Sequence, residues 1–304
     1  MPFPRITLVT PSFNQGQFLE QTILSVLEQE YPDLEYIIMD GGSTDNSVEI
    51  IKKYEKHLTY WQSQPDKGQS DALCQGFARA TGVLMNWVNS DDLLAPGALD
   101  HIASLKQANP HAEILAASTE HFTTDPANTF DKIIPKNWCP EAFLHIIPRS
   151  SFSFNQQGVF FTRDLFERIG GLNPELHVCM DYDLFLRMCE TEPEIVYSPQ
   201  TAAYFRFHSS SKTTSGSARF LIREHAELLQ IYNESFRRTG LVADRLRDVN
   251  RLHWLLFRSI WRANLSNMKS AYQALKNSDH SSAPEISAKI AILLGRRLFL
   301  GRRV

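Results

Sequence analysis

Over roughly its first ninety residues the chain alternates short apolar runs with amphipathic stretches, and every exchange passes through a cluster of turn-forming residues. Residues 5–10 read as a buried strand stopped by Pro11, after which Leu19, Ile23, Val26 and Leu27 fall on one helical face. Residues 36–40 form a second strand, and Gly41-Gly42-Ser43-Thr44-Asp45 turns into a helix through Val48, Ile51 and Tyr54. A third strand at residues 58–62 leads through Pro65-Asp66-Lys67-Gly68 into a helix carrying Leu73, Phe77 and Ala80, which Gly82 ends before a strand at 83–88. Strict strand–helix alternation predicts an α/β fold built on an open, mainly parallel sheet. In such sheets ligands bind outside the carboxyl ends of the strands.

The polar residues at those ends define a chemistry. Thr10-Pro11-Ser12-Phe13-Asn14, Asp40-Gly41-Gly42-Ser43-Thr44-Asp45, Asn89-Ser90-Asp91-Asp92 and Met180-Asp181-Tyr182-Asp183 each lie between a strand or loop and the start of a helix. They supply small, hydroxyl and carboxylate groups of the kind that hold a nucleoside diphosphate. Carboxylates repel phosphate, so acids at a phosphate site imply a cation between them, and hard oxygen ligands suit Mg2+ or Mn2+. Asp91 is the first candidate ligand, with Asp92 beside it, while Asn89 offers an oxygen without charge.

Taken singly, each motif also has a plain structural reading. Asp91-Asp92 fits a solvated turn or a cap for a helix beginning at Leu93-Leu94-Ala95-Pro96. Asp40 fits an Asp-Gly turn, or a carboxylate accepting hydrogen bonds from a base or ribose. Asp181 and Asp183 open a helix where acids are favoured by the helix dipole, and only one of two residues two apart faces a cleft. A carboxylate held there is also placed to take a proton from a hydroxyl. His208, at the end of a strand carrying Tyr204 and Arg206, reads either as a metal ligand or as an exposed ring. Arg206 suits either diphosphate charge or a solvated strand end.

The second half is less periodic. A helix is expected near residues 97–106, strands near 113–117, 159–161 and 201–207, and a helix ending at Gly170-Gly171. Residues 125–154, with little periodicity, read as a substrate loop. After the turn-rich residues 209–216 the remainder reads as helices. A net charge of −3 and pI near 6.4 give no global reason to expect nucleic acid. Cys74, Cys139, Cys179 and Cys189 lack zinc-like spacing and read as reduced thiols. Neither a signal-like apolar run near the N-terminus nor a stretch of ~18 apolar residues is present, so a cytoplasmic protein without membrane spans is expected. Basic residues interleaved with apolar ones at 251–268, and the acid-poor basic end at 286–304, suit either packed helices with a solvated face or peripheral contact with anionic lipid on the inner face of the membrane.

In order and spacing, these motifs together with Pro65-Asp66-Lys67-Gly68-Gln69-Ser70-Asp71 and Phe205-Arg206-Phe207-His208-Ser209-Ser210-Ser211-Lys212 resemble the motif series of family 2 glycosyltransferases, and bacterial members that build O-antigens and related surface polysaccharides above all. The resemblance implies a GT-A fold over residues 1–213, divided into a nucleotide-sugar-binding half (1–95) and an acceptor-binding half (96–213), followed by a helical extension at 214–304. It implies an inverting hexosyltransferase that moves a sugar from a nucleotide-sugar donor, a UDP-sugar by default with GDP- and dTDP-sugars open, to a hydroxyl of a glycan or lipid-linked acceptor. A divalent metal, Mn2+ or Mg2+, is implied as well. Position by position, Pro11, Asp40, Asp66, Lys67, Asn89 and Ser90 would line the donor-nucleotide pocket. Asp91 would bind metal with support from Asp92, His208 would contact metal or diphosphate, and Asp181 matches the general base. Gln156, Gln157, Asp183 and Arg206 are candidate sugar or acceptor contacts. Two departures stand out: Asn89 replaces the first acid of the D-x-D pattern, and Met180 replaces the glutamate before the base, leaving Asp181 and Asp183 both open for that role. A nucleotidyltransferase is the rival enzyme class, but residues 10–16 lack the basic loop a triphosphate wants; a sugar-nucleotide-binding module without turnover is the rival without chemistry.

Overall fold

The computed structural model describes residues 3–144, 153, 155–209 and 211 and scattered positions from 227 to 238. The basic segments 251–268 and 286–304 lie outside the described residues, as does most of 214–304; the described positions from 227 to 238 are helical.

The first half builds as the alternation predicts. β1 (Ile6–Ser12), α1 (Gly16–Leu27), β2 (Leu34–Asp40), α2 (Ser47–Tyr54), β3 (Tyr60–Ser63), α3 (Gln69–Phe77) and β4 (Leu84–Trp87) follow in order. β1 pairs in parallel with β2 on one side and β4 on the other, and β2 pairs in parallel with β3. Leu19, Ile23 and Val26 of α1 are fully buried against Leu8, Ile38 and Ile51, which is what their helical spacing requires.

β1 does not stop at Pro11 but runs through it to Ser12. Val9 accepts from Val88 on the β4 side, whereas Ser12 accepts from Gly41 on the β2 side. Pro11 therefore turns its missing N–H toward β4, whose pairing has already ended at Val9 and Trp87.

The second half mixes directions. β5 (Leu93–Leu94), α4 (Ala98–Ala108), β6 (Ile114–Phe122), β7 (Asp131–Ile133), α5 (Pro140–Leu144), β8 (Val159–Thr162), α6 (Arg163–Arg168), α7 (Met180–Cys189) and β9 (Ile195–Arg206) complete the unit ending at His208. The sheet order is β3-β2-β1-β4-β8-β6-β9-β5, with β7 on β6 beyond the segment paired to β8. β8 runs antiparallel to β4 and β6, β9 runs parallel to β6, and β5 runs antiparallel to β9.

Leu93-Leu94 is a strand rather than the start of a helix. Both side chains are buried, Leu93 pairs with Tyr204 and Leu94 with Ala203, and Pro96 restricts Ala95 to extended backbone. The helix begins only at Ala98, after Gly97 at φ +71°. β9 is much longer than the run 201–207 suggests, because Pro199 and Gln200 are accommodated where the β6–β9 register shifts between Ser198 and Thr201.

Apolar layers cover both faces. α1, α2 and α4 bury the cluster containing Leu8, Leu115 and Phe160. An aromatic cluster joins elements of the other layer: Trp87 stacks on Phe185 at 6.2 Å, Phe161 on Phe166 at 5.7 Å, and Phe77 meets Trp87 edge-on at 6.1 Å. The four cysteines form no disulfide. Among the described residues no helix is long and apolar enough to cross a membrane.

Candidate active site

The carboxyl ends of β1, β2 and β4 carry the first three motifs, and two of their loops are laced together. Asn14, in left-handed backbone at φ 52°, donates its N–H to Ser43 Oγ at 2.8 Å, and its Oδ1 accepts from the Thr44 N–H at 2.8 Å. The N–H of Gly16 donates to Asp45 at 2.9 Å, and that of Gln15 to Ser47 at 3.1 Å. Asp40 is 1% exposed and accepts from the N–H groups of Gly42 (3.1 Å) and Ser43 (2.9 Å) and from the hydroxyls of Ser43 (2.5 Å) and Ser63 (2.6 Å). Three of these bonds fall on Oδ2 and one on Oδ1, so Asp40 holds the turn after β2 and keeps a lone pair on Oδ1. Buried Pro11 precedes Ser12, whose buried hydroxyl has no hydrogen-bond partner, and Phe13 projects from the same turn 60% exposed.

Asp66 is half-buried; its Oδ1 accepts from the Gly68 N–H at 2.7 Å, and its Oδ2 lies 2.8 Å from where a side chain on Gly41 would begin. Lys67 is exposed, its N–H bonded to Asp71 at 3.0 Å.

At the end of β4, with Ser90 buried in the turn, the acids Asp91 and Asp92 take opposite roles. Asp92 is 1% exposed; its Oδ1 accepts from the Arg206 N–H at 3.0 Å and its Oδ2 from the amides of Asn89 and Gln157, each at 2.9 Å. Burial, and secondarily the neighbouring Asp91 charge, push its carboxyl up to about 7, against the pull of those donors. Asp91 Oδ2 lies 2.9 Å from His208 Nε2, with both side chains partly exposed, and the imidazole packs 4.5 Å from the Phe18 ring.

Asn89 now has a physical reason. Its amide donates to Asp92 while its Oδ1 accepts from Gln69 Nε2 at 2.8 Å. A carboxylate at this position would set a third negative charge against Asp92 and donate nothing.

Arg206 lies within the fold. Its guanidinium sits between the rings of Phe18 (4.9 Å) and Phe122 (4.5 Å), and it donates to the Asp91 carbonyl at 2.8 Å and to Gln21 at 2.7 Å. At 3% exposure it holds the acid turn against α1 and β9. Gln156 is likewise structural, donating to Asn86 Oδ1 at 3.0 Å and the Trp87 carbonyl at 2.8 Å. Gln157 differs, since its buried Oε1 has no partner beside the Asp92 contact. Gly158 makes this approach feasible: a Cβ there would stand 2.3 Å from the Ala117 carbonyl.

The two acids of α7 also separate. Asp183 is 1% exposed, and its Oδ2 accepts two bonds from Arg187 at 2.9 and 2.7 Å. Asp181 is half-buried in the first turn, where its Oδ1 accepts from the Tyr182 N–H at 2.8 Å. The loop leading into α7 is docked on α3: the Ser70 hydroxyl donates to the Leu176 carbonyl and lies 2.8 Å from Met180 sulfur, while Gln69, one residue earlier, holds Asn89. Asn89, Asp91, Asp92, Gln157, Arg206 and His208 thus form one bonded cluster, to which α7 is tied through Gln69–Ser70.

Among the described residues no three His, Cys, Asp or Glu side chains are grouped to hold a metal. Asp91 and His208 nevertheless offer one carboxylate oxygen and one imidazole nitrogen side by side. One carboxylate oxygen and one imidazole nitrogen are donors of the kind a divalent cation such as Mn2+ would accept.

Comparison with known proteins agrees with this fold. The model of the family described as Glycosyl transferase family 2 matches residues 7–170. A relative from Mycobacterium tuberculosis H37Rv named an uncharacterized glycosyltransferase is 30% identical over 197 residues, covering 62% of this chain and 71% of that protein. A PGL/p-HBAD biosynthesis glycosyltransferase of Mycobacterium bovis BCG is 27% identical over 201 residues, covering 64% and 73%. Among solved structures, Staphylococcus aureus TarS 1–349 in complex with UDP superimposes with a TM-score of 0.58 at 15% identity, over 89% of this chain and 79% of that one. The Pyrobaculum calidifontis mannosyltransferase PcManGT, in complex with GDP-Man and Mn2+, gives 0.58 at 18% identity, over 96% and 81%. The fold is GT-A.

Proposed function

Because the chain belongs to glycosyl transferase family 2, we propose that it moves a sugar, with inversion, from a nucleoside-diphosphate donor to a hydroxyl of a glycan or lipid-linked acceptor in bacterial surface-polysaccharide synthesis on the cytoplasmic side of the membrane. The observation that carries this reading is the Asp91–His208 pair, 2.9 Å apart at the converging ends of β4 and β9 and braced by Asn89, Asp92 and Arg206. Support also comes from the ligands named with the structural neighbours: UDP and UDP-GlcNAc with TarS, GDP-Man and Mn2+ with PcManGT.

Phe13, standing exposed beside the Asp40 loop, offers a face on which a nucleobase stacks, and Pro11, Asp66 and Lys67 are the further candidates for the nucleoside pocket. Asp91 and His208 would hold the cation, and a bound Mn2+ or Mg2+ would supply positive charge against the charge on the departing diphosphate. Asp92, held by Arg206, Asn89 and Gln157, anchors the turn that carries Asp91. With Asp183 committed to Arg187, Asp181 is the carboxylate that takes the proton from the attacking hydroxyl, in one displacement without a covalent enzyme intermediate.

The test is Asp181→Asn with transfer and donor binding measured separately. The expected result is a loss of turnover of about a hundredfold or more, with nucleoside-diphosphate affinity within about twofold. Turnover close to the native rate, or equal loss of binding and turnover, would remove Asp181 from the role.

A further inference from the structure

Beyond the acid cluster, the β6–β7–β9 corner carries an aromatic group that none of the proposed steps uses. Phe205 and Phe207, two apart on β9 and the residues just after it, point to one side, and their rings meet edge-on at 5.0 Å. Phe130, just before β7, meets Phe207 at 5.4 Å. His121 of β6 lies beneath all three, 6.0 Å from Phe130, 5.5 Å from Phe205 and 5.1 Å from Phe207. His121 is buried, yet Phe130 is 58% exposed and Phe205 and Phe207 are partly exposed. The corner is therefore a floor with an open upper surface.

Polar groups edge that surface. His121 Nε2 lies 3.2 Å from the Asn155 amide, and Nδ1 lies 3.4 Å from the carboxylate of exposed Asp131. Two connections join the shelf to the reaction centre: Phe207 directly precedes His208, the partner of Asp91, and Asn155 lies two residues before Gln157, which donates to Asp92. Exposed ring faces flanked by an amide and a carboxylate match a ligand with one apolar face and hydroxyls at its rim. A pyranose ring has that construction; an alkyl chain would leave the polar edge unpaired.

We infer that the shelf of Phe130, Phe205 and Phe207, with Asp131 and Asn155 at its edges, seats a sugar ring of the acceptor, so that a glycan is held there while its hydroxyl reaches the centre at Asp91 and His208. The inference rests on the transferase reading for the name acceptor, but the binding is separable from it. Phe130 is the residue to change, because so exposed a side chain contributes little to the core.

The experiment is saturation-transfer NMR on the full chain with UDP and Mn2+ present, using methyl and octyl glycosides of glucose, galactose, mannose, rhamnose and N-acetylglucosamine as probes, with UDP affinity measured on the same samples. The expected result is saturation of the ring C–H groups of at least one methyl glycoside, weakened about fivefold or more in Phe130→Ala and retained in Phe130→Tyr, with UDP affinity unchanged in both. Absence of methyl glycoside binding to the native chain, equal binding by Phe130→Ala, or binding that requires the octyl chain would each overturn the inference. Nucleotide binding without glycoside binding sinks the shelf and leaves the transferase reading standing. Glycoside binding through Phe130 with no binding of UDP, GDP or dTDP in the same samples leaves the shelf standing and sinks the transferase reading.

Discussion

Arg187→Met separates the structural acid of α7 from the chemical one. Asp183 is 1% exposed and takes two bonds from Arg187, at 2.9 and 2.7 Å, while the same guanidinium donates to the Ile169 carbonyl at 2.9 Å. Removing the arginine strands a buried carboxylate, a change that costs about 3–5 kcal/mol when the pair is fully enclosed. The Arg187 side chain keeps 14% of its surface, so water reaches the gap, and a value below that range, about 2–3 kcal/mol, is expected here. For a unit of this size, 1 kcal/mol moves Tm by roughly 2–4 °C, so Arg187→Met should melt about 5–10 °C lower. Asp181→Asn, altering a half-buried group in the first helical turn, should melt within about 2 °C of the native chain and yet fail to transfer. Thermal unfolding followed by circular dichroism, paired with a transfer assay on both variants, reads the two effects. If Arg187→Met melts normally while Asp181→Asn is strongly destabilised, the roles given to the two acids are interchanged and the reasoning fails.

The titration of Asp92 gives a pH signature. Its folded-state carboxyl lies near 7, above the ordinary unfolded value, because of burial and then the Asp91 charge. Between about pH 4 and pH 7 the folded chain thus holds a proton that the unfolded chain has released, and this group's contribution to stability falls as pH rises across that window and levels off above it. In EDTA the Tm difference between Asp92→Asn and the native chain should move in favour of the variant over that window, whereas a pH-independent difference would contradict the assignment. Phe13→Ala removes an exposed ring, so Tm should hold within about 2 °C while nucleoside-diphosphate affinity drops about fivefold to a hundredfold, the range for lost base stacking. Calorimetric titration with unchanged affinity would take Phe13 out of the nucleotide site.

Much of the first half was legible because each strand there pairs in parallel with its neighbours and each helix buries one face, so periodicity and connectivity point the same way. Elsewhere, pairing partners far along the chain decide the local structure. Pro11 stays in β1 because β4 has ended beside it, and Leu93-Leu94 becomes a strand because Tyr204 and Ala203, more than a hundred residues away, are there to pair. The site residues divide by the same logic. Motif spacing cannot distinguish an acid or amide that faces the cleft from one consumed inside: Asp183 is taken by Arg187, Gln156 by Asn86 and the Trp87 carbonyl, and Arg206 by Phe18, Phe122 and Gln21. The exposure of Phe13 is not legible within its motif because aromatic residues usually signal core; the one sequence signal is position, an apolar side chain between a strand end and a turn-forming Asn14.

The most direct test of the central claim, that Asp91 and His208 serve a cation through which a nucleoside diphosphate binds, is calorimetric titration of the native chain and of Asp91→Ala with UDP, GDP and dTDP, each in Mn2+ and in EDTA. One nucleoside diphosphate is expected to bind in Mn2+, to weaken about tenfold or more in EDTA, and to lose that metal dependence in Asp91→Ala. Binding equally strong in EDTA, or unaltered by Asp91→Ala, would contradict that claim.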